Sequence, residues 1–259
     1  MTPTREEIQR SFQRDGFAML RGAFDPSELS KEIDDVLRDG IPAGCLPTKG
    51  AGGVEFHSVV MMCERTPVSL ALLDDLADLA TALLDRPVLP GRAKGTHYFG
   101  SSRLHADSDA AIPSLGFVTY LEPVRASSGA LQVVPGSHRR GRTPDPSVVR
   151  TLPTDPGDVI VFDEHLTHGS FGGVHRRQWR VDFIADPANL AEEALVRATF
   201  ERLFDPGWDG GDDVDRYPSY GRYWQTLDRP WTARLRDLGV YELAAQHAAA
   251  LHVRRATGS

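Results

Sequence analysis

The sequence predicts a mainly β protein with flanking helices, and three observations carry that expectation. Between residues 88 and 187, short runs rich in β-branched and aromatic residues alternate with Gly, Pro, Asp and Ser turns, as in an antiparallel sandwich or barrel. Before this stretch (1–87) and after it (188–259), apolar residues recur at helical spacing. No internal repeat, low-complexity tract or linker divides the 259 residues. They therefore read as one domain, a size that β cores with additions reach as a single unit.

The elements follow in order. Thr4-Arg5-Glu6-Glu7 reads as a capping box that opens a helix to about Asp15, stopped at Gly16. Phe17-Ala18-Met19-Leu20 reads as a short buried strand. Asp25-Pro26 starts a second helix, with Pro26 at its first position and Leu29, Ile33 and Val36 on one face. Residues 40–54 are rich in Gly and Pro and read as a loop. Thr66 to Asp85 is a strongly apolar helical stretch that ends before Pro87, because the residue preceding a proline avoids helical geometry. Strands are expected at 94–99, 115–121, 130–134, 158–162 and 179–184. Helical signals return at 188–204 and 240–255, the latter with an apolar face (Leu243, Ala244, Ala248, Leu251) suited to the core or to a partner. Between them, 205–230 reads as a surface wrap. Its acidic part, 205–216 with Asp209, Asp212, Asp213 and Asp215, reads as a solvated loop, with a lid as the alternative.

Composition narrows the function. A hydrophobic fraction of 41% and a charged fraction of 25% are those of a soluble globular protein. Cys45 and Cys63 lack metal-ligand spacing and read as free thiols of a reducing compartment. The polar start, Met1 to Gln13, has no secretory character, and no apolar run approaches the roughly 20 residues that span a bilayer. A cytoplasmic location without a membrane partner is expected. A net charge of −7 argues against a nucleic-acid partner; the expected partner is a small-molecule substrate. Only three of the 29 basic residues are lysine (Lys31, Lys49, Lys94), a bias of the kind GC-rich bacterial genomes impose.

The chemistry concentrates in two short motifs, His105-Ala106-Asp107 and His168-Gly169-Ser170. Two imidazoles and one carboxylate are the set that binds non-haem iron(II) on one face and leaves the opposite face open. In a strand, residues i and i+2 point to the same side, so His105 and Asp107 can converge, with His168 arriving from elsewhere. Between the motifs lies Gly129-Ala130-Leu131-Gln132-Val133-Val134-Pro135-Gly136-Ser137-His138, and Asp155-Pro156-Gly157-Asp158 precedes the run Val159 to Phe162.

This combination, in this order, resembles the phytanoyl-CoA dioxygenase family of iron(II)/2-oxoglutarate-dependent oxygenases, over roughly residues 92–187 and more weakly over 5–22. The resemblance implies a double-stranded β-helix (jelly-roll, cupin-like) core and Fe(II) held by His105, Asp107 and His168. It also implies 2-oxoglutarate and O2 as co-substrates. His165 competes with His168, but the Gly-Ser that follows His168 matches the family. His138 is expected to fix its turn, while His57, His175, His247 and His252 have no supporting context. Related halogenases lack the carboxylate, so Asp107 stands against halogenation.

The distal carboxylate of 2-oxoglutarate needs a cation, and arginine grips it in two-point fashion. Where the family carries that arginine, counted from the distal histidine, this chain has Trp179, with arginines close by in His175-Arg176-Arg177-Gln178-Trp179-Arg180. Arg180 is the first candidate and Arg177 the second, while Arg176 reads as solvated surface. Ser170 and Lys94 are further candidates for holding the co-substrate. His97, Tyr98, Gln132 and Trp179 are candidates for the substrate wall. The implied reaction turns 2-oxoglutarate into succinate and CO2 while an unactivated C–H bond is hydroxylated, or is closed to a ring or desaturated. The expected role is a tailoring hydroxylase or oxidative cyclase of bacterial antibiotic biosynthesis, with a sugar-containing, orthosomycin-like intermediate as one specific form. The rivals are a zinc-dependent hydrolase on the same ligands and a non-catalytic jelly-roll binding protein.

Overall fold

The computed structural model describes residues 4–50, 53–139, 145–173, 175–204 and 214–257. Its first half runs α1 (Arg5–Asp15), β1 (Phe17–Leu20), α2 (Ser27–Gly40), β2 (Thr48–Lys49), β3 (Glu55–Val60) and α3 (Pro67–Leu84). The capping box is formed: Thr4 Oγ1 accepts from the Glu7 backbone N–H at 3.3 Å, and the Glu7 carboxylate accepts from the Thr4 N–H at 2.8 Å. Eight strands follow: β4 (Val88–Phe99), β5 (Ser102–His105), β6 (Ser114–Tyr120), β7 (Leu131–Val133), β8 (Arg150–Leu152), β9 (Val159–Asp163), β10 (His168–Ser170) and β11 (His175–Ala185). The chain continues as α4 (Leu190–Leu203), α5 (Arg222–Thr226), α6 (Thr232–Asp237) and α7 (Val240–Thr257).

The strands make two sheets. A major sheet of seven has the order β1-β9-β6-β11-β4-β3-β2, and a minor sheet of four has the order β5-β10-β7-β8. Every pairing within them is antiparallel. This is the jelly-roll core, with both sheets hiding one face. The outer face of the major sheet buries Phe117, Trp179, Val181 and Phe183 against Leu29 and Ile33 of α2 and Leu70 and Leu73 of α3. The inner face packs Phe17, Val118, Tyr120, Ile160 and Phe162 against Leu131, Val133 and Leu152 of the minor sheet. Among the described residues, no helix is long and apolar enough to cross a membrane.

Several elements differ from the sequence expectation. Beyond the expected strand at Phe17–Leu20 (β1), the part otherwise expected to be helical, 1–87, also supplies β2 and β3 to the major sheet. β4 begins at Val88 rather than 94: Pro90-Gly91 reads as a turn, but a register shift between Val181 and Phe183 of the partner strand accommodates it. β5, β8 and β10 are missing from the expected strand runs, although strand ends were expected at His105 and His168, because Ser102-Arg103-Leu104-His105, Arg150-Thr151-Leu152 and His168-Gly169-Ser170 lack an apolar alternation long enough to register. Pro26 stands at the N-cap of α2 rather than at its first position. Most of the acidic stretch 205–216 lies outside the described residues; its Asp215 pairs with His252 of α7 at 2.8 Å. α7 itself packs on α4 and α6, burying Ala244 and Leu251.

The turn before β9 is a structural knot. Gly157 has φ +92°, and a Cβ there would stand 2.6 Å from the Phe24 carbonyl oxygen, so the close approach needs glycine. Next to it the buried Asp158 accepts hydrogen bonds from Arg21 Nη1 (2.6 Å), the Gly22 N–H (2.9 Å) and the Asp155 N–H (3.0 Å). Burial pushes its carboxyl up, but these donors outweigh it and hold it below the ordinary aspartate range. Asp158→Ala is expected to destabilise the fold by about 1.5–3 kcal/mol at pH 7. Because the folded-state carboxyl titrates below the unfolded one, this contribution is present above about pH 4 and fades as pH falls through the lowered folded value. Urea unfolding of wild type and variant at stepped pH checks this: a gap that does not narrow on acidification contradicts it.

Candidate metal centre

The site is built at the end of two short strands. β10 pairs with β5 so that His168 stands directly opposite His105, with ring centroids 4.6 Å apart. Asp107 lies just past β5, where the N–H groups of Asp107 and Ser108 both donate to the Glu164 carbonyl, at 2.9 and 3.0 Å. Together the three side chains bring ligand atoms within 4.8 Å of one another. Asp107 Oδ1 is 3.4 Å from His105 Nε2, and Oδ2 is 3.5 Å from His168 Nε2.

Each imidazole is oriented by its other nitrogen. His105 Nδ1 lies 2.7 Å from the Arg103 carbonyl, and His168 Nδ1 lies 2.9 Å from the Leu166 carbonyl. A carbonyl only accepts, so Nδ1 carries the proton and Nε2 presents its lone pair to the centre. Burial lowers the His168 pKa, which favours the neutral ligand form. Burial also pulls His105 down, but Asp107 and the Arg103 carbonyl outweigh it and leave its pKa raised. Asp107 is pushed up by burial, and Arg180 and His168 override this to hold it well below the usual carboxylate range. With His105 giving up its Nε2 proton as the cation enters, two imidazoles and one ionised carboxylate fit a divalent metal of the iron(II) type.

The neighbouring histidines serve the frame. His165 bridges Asp163 Oδ1 and the Ala110 carbonyl at 2.8 and 2.7 Å, tying the 106–112 loop to the end of β9. The Pro135–His138 turn docks on α1 through the Gly136 N–H to the Asp15 carbonyl (2.8 Å). Ser137 Oγ accepts from the Thr167 N–H (2.8 Å), just before His168.

β11 decides the rest, because alternate residues face opposite sides. Trp179 points to the helices, where its Nε1 donates to Ser69 Oγ at 2.8 Å. Arg177 shares that outer side and pairs with Asp34 and Glu122. His97, opposite Arg177 in register, sits there with Phe99 and His175. Gln132 also turns away from the triad, since its neighbours Leu131 and Val133 are the ones buried between the sheets. These placements correct the expectation for Arg177, Trp179, His97 and Gln132: none lies on the triad's side of its sheet.

Lys94, Tyr98, Arg176, Gln178, Arg180 and Asp182 share the inner face of the major sheet. Arg176, expected at the surface, is only 3% exposed. It stacks over the Tyr98 ring at 4.9 Å, donates to the Gly100 carbonyl at 2.7 Å, and keeps a buried Nε with no hydrogen-bond partner. Ser170 Oγ donates to the Gly129 carbonyl at 2.7 Å, beside Arg176. Arg180 is also buried, with every nitrogen paired: Nη1 to Asp107 Oδ2 (2.6 Å), Nη2 to Glu164 Oε1 (2.9 Å) and Nε to Asp182. Lys94 makes no hydrogen bond among the described residues; burial lowers its pKa against the pull of Asp182. Glu164, Asp182 and Arg176 were missed by sequence reasoning. The alternation of apolar Trp179, Val181 and Phe183 was the available signal that even-numbered residues face inward.

A cavity of about 200 Å³ lies between β3–β4 and the C-terminal segment, lined by Ser58, Val60, Arg92, Tyr220 and Tyr241 among others; no triad residue lines it.

Comparison with known proteins adds the following. Residues 12–178 match the sequence profile of the phytanoyl-CoA dioxygenase (PhyH) family. Ectoine dioxygenase from Sphingopyxis alaskensis is 28% identical over 214 residues, covering 63% of this chain and 69% of the relative. The crystal structure of AviO1 from Streptomyces viridochromogenes Tue57 superposes with a TM-score of 0.56 at 25% identity, covering 73% of this chain and 97% of that one. EctD from S. alaskensis with 2-oxoglutarate and 5-hydroxyectoine gives a TM-score of 0.58 at 25% identity, covering 71% and 76%.

Anaerobic titration with Co(II), followed by its visible spectrum, checks the ligand assignment. His105→Ala and His168→Ala are expected to lose the bound-metal spectrum, and Arg177→Ala to keep it. Trp179→Ala should cost about 3–5 kcal/mol of stability, as removal of a buried aromatic does, yet retain metal binding below its unfolding transition. Loss of binding in folded Arg177→Ala would contradict the outward placement.

Proposed function

The chain belongs to the phytanoyl-CoA dioxygenase family of iron(II)/2-oxoglutarate-dependent oxygenases, and from that premise we propose that His105, Asp107 and His168 hold Fe(II) and that the enzyme oxidises an unactivated C–H bond of a small bacterial metabolite. The observation that carries the reading is the convergence of two Nδ1-tied imidazoles and an ionised carboxylate on one point. When bound, iron(II) with 2-oxoglutarate and O2 supplies an oxidant strong enough for such a bond, with succinate and CO2 as co-products.

The residues around the centre divide the remaining work. Arg176 is the anchor for the distal carboxylate of 2-oxoglutarate: it is buried on the triad's side, and part of its donor set is unspent. Arg180 is ill suited to that task, because all of its nitrogens are already paired with carboxylates. Tyr98 fixes the plane of Arg176 from below. Burial pushes the Tyr98 phenol up to about 12, so it stays a neutral hydroxyl at working pH. Ser170 borders the same place through Gly129, and Lys94 adds a third basic side chain, after Arg176 and Arg180, to the inner face. Phe162 covers His168 at a ring distance of 4.8 Å and keeps water from that flank.

For the substrate, a tailoring role in bacterial secondary metabolism is supported by the arginine-for-lysine bias and by the likeness to AviO1 from a Streptomyces. Hydroxylation or oxidative ring closure of a sugar-containing, orthosomycin-like intermediate is the first class to screen, by succinate release. Cys45 and Cys63 form no disulfide, which suits a cytoplasmic place of work.

The direct test is anaerobic addition of Fe(II) and 2-oxoglutarate, followed by the visible charge-transfer band of the chelated co-substrate. The band is expected in wild type and absent in His168→Ala, and turnover is expected to vanish in Asp107→Ala. Arg176→Met should raise the 2-oxoglutarate concentration for half-saturation about 30-fold or more, the cost of leaving a buried carboxylate without its partner. An unchanged half-saturation in folded Arg176→Met would return the anchor to Lys94 or Arg180. Full activity in Asp107→Ala would sink the triad.

A further inference from the structure

Arg180 sits among three carboxylates. Its Nη1 donates to Asp107 Oδ2 at 2.6 Å, its Nη2 to Glu164 Oε1 at 2.9 Å and its Nε to Asp182 Oδ1, and it is 8% exposed. Below its plane lies the Phe162 ring, 5.2 Å away, and the same ring packs on His168 at 4.8 Å. Room for the cluster comes from Gly116 on β6, opposite Asp182 in register. A Cβ there would stand 2.9 Å from Asp182 Oδ1 and 3.2 Å from Arg180 Nη2.

A carboxylate can offer a metal one oxygen or both. A guanidinium N–H at hydrogen-bond distance takes one lone pair of one oxygen, weakens that oxygen as a metal ligand and holds the group against rotation about its Cβ–Cγ bond. Glu164 and Asp182 in turn hold the guanidinium in its plane, so the constraint on Asp107 is relayed from β11 and the end of β9. We infer that Arg180 is a positioning residue for the metal: it pins Asp107 Oδ2, leaves Oδ1 as the single ligating oxygen, and takes no part in holding 2-oxoglutarate. This rests on the assignment of the triad to Fe(II), and it assigns Arg180 a different duty from the one its sequence position suggests.

The test measures metal and co-substrate affinity separately. Co(II) and Fe(II) dissociation constants are measured anaerobically on metal-free protein, and 2-oxoglutarate binding is then measured at saturating metal. Wild type, Arg180→Met, Arg180→Lys, Asp182→Asn, Arg176→Met and His105→Ala are compared, each first shown to be folded by its thermal transition. Arg180→Met is expected to weaken metal binding about 10–100-fold, the usual cost of losing a ligand's supporting partner, and to leave 2-oxoglutarate affinity at saturating metal unchanged. Its Co(II) spectrum should shift as Asp107 gains freedom to ligate through both oxygens, a change that a merely structural role would not produce. Arg180→Lys keeps the charge but cannot span three carboxylates, so it should fall between wild type and Met. Arg180→Met strips a buried cation from its partners and is the variant most at risk of not folding. Asp182→Asn covers that case: it loosens Arg180 without touching Asp107 and should weaken metal binding to a smaller degree. Unchanged metal affinity and Co(II) spectrum in folded Arg180→Lys and Asp182→Asn overturn the inference. So does a selective loss of 2-oxoglutarate binding in an Arg180 variant, the pattern expected instead of Arg176→Met. If wild type and His105→Ala bind metal equally weakly, it is the Fe(II) assignment that fails.

Discussion

Everything at the site depends on one backbone pairing, that of β5 with β10, which sets His168 opposite His105. Both strands are short, and β10 includes a glycine. Alone, such a pair has little stability in water. β5 is the edge of its sheet, so the pair is held from the β10 side: β7 pairs β10 through Val133 and Leu131, and the Val134 N–H donates to the Thr167 carbonyl. Gly169 faces the Ser102 and Arg103 carbonyls so closely that a Cβ would stand 3.0 Å from each. The ligands are therefore placed by main-chain geometry. The side chains inherit a rotational setting from the carbonyls of Arg103 and Leu166.

That placement explains which parts of the molecule could be read in the sequence. The triad was legible because His-x-Asp and the distal His-Gly-Ser flank a segment, 129–138, that matches the family in the same order, and the long helices because Leu29, Ile33 and Val36, or Leu70 and Leu73, repeat at helical spacing. The site-forming strands β5 and β10 were not, because their hydrogen bonds are made by neighbours and their side chains serve the metal instead of the core. The arginine run shows the same limit at finer grain. Arg176, Arg177 and Arg180 are chemically alike, and only the direction of each along β11 separates a buried inner cation from an outer ion pair with Asp34 and Glu122. A one-residue change of register exchanges those roles, so counting from the distal histidine pointed to Trp179 and favoured Arg180 and Arg177. The pattern of Trp179, Val181 and Phe183 facing the helices is what settles the register.

Buried charge is costly unless each group is answered, and the inner face carries an unusual amount of it. Arg180 meets its cost through three carboxylates, and Arg176 through a carbonyl, a tyrosine ring and a hydrogen bond with Tyr120. Lys94 and the Nε of Arg176 are answered less fully. In a low-dielectric interior, such groups are stabilised by whatever anion enters, and that is the property an acidic co-substrate exploits. The satisfied cation holds Asp107, while the less satisfied ones keep donor capacity to spare. This contrast gives a physical reason for assigning different duties to two arginines four positions apart on one strand.

The family match ends at residue 178, between those two arginines. Arg176 lies within the shared portion, whereas Arg180, Asp182 and the C-terminal elements lie beyond it. Those elements are not loosely attached. Tyr220 donates its hydroxyl to the Pro90 and Gly91 carbonyls, and Trp224 Nε1 donates to the Met62 carbonyl, so the C-terminal segment braces β4 and the chain after β3. β4 is the strand that carries Lys94 and Tyr98 on its inner face. A change in the packing of Tyr220 or Trp224 therefore reaches the inner face through the backbone of β4 without touching a ligand. The C-terminal end of the chain in this way supports the strand that carries Lys94 and Tyr98, while His105 and His168 are set by the β5–β10 pair.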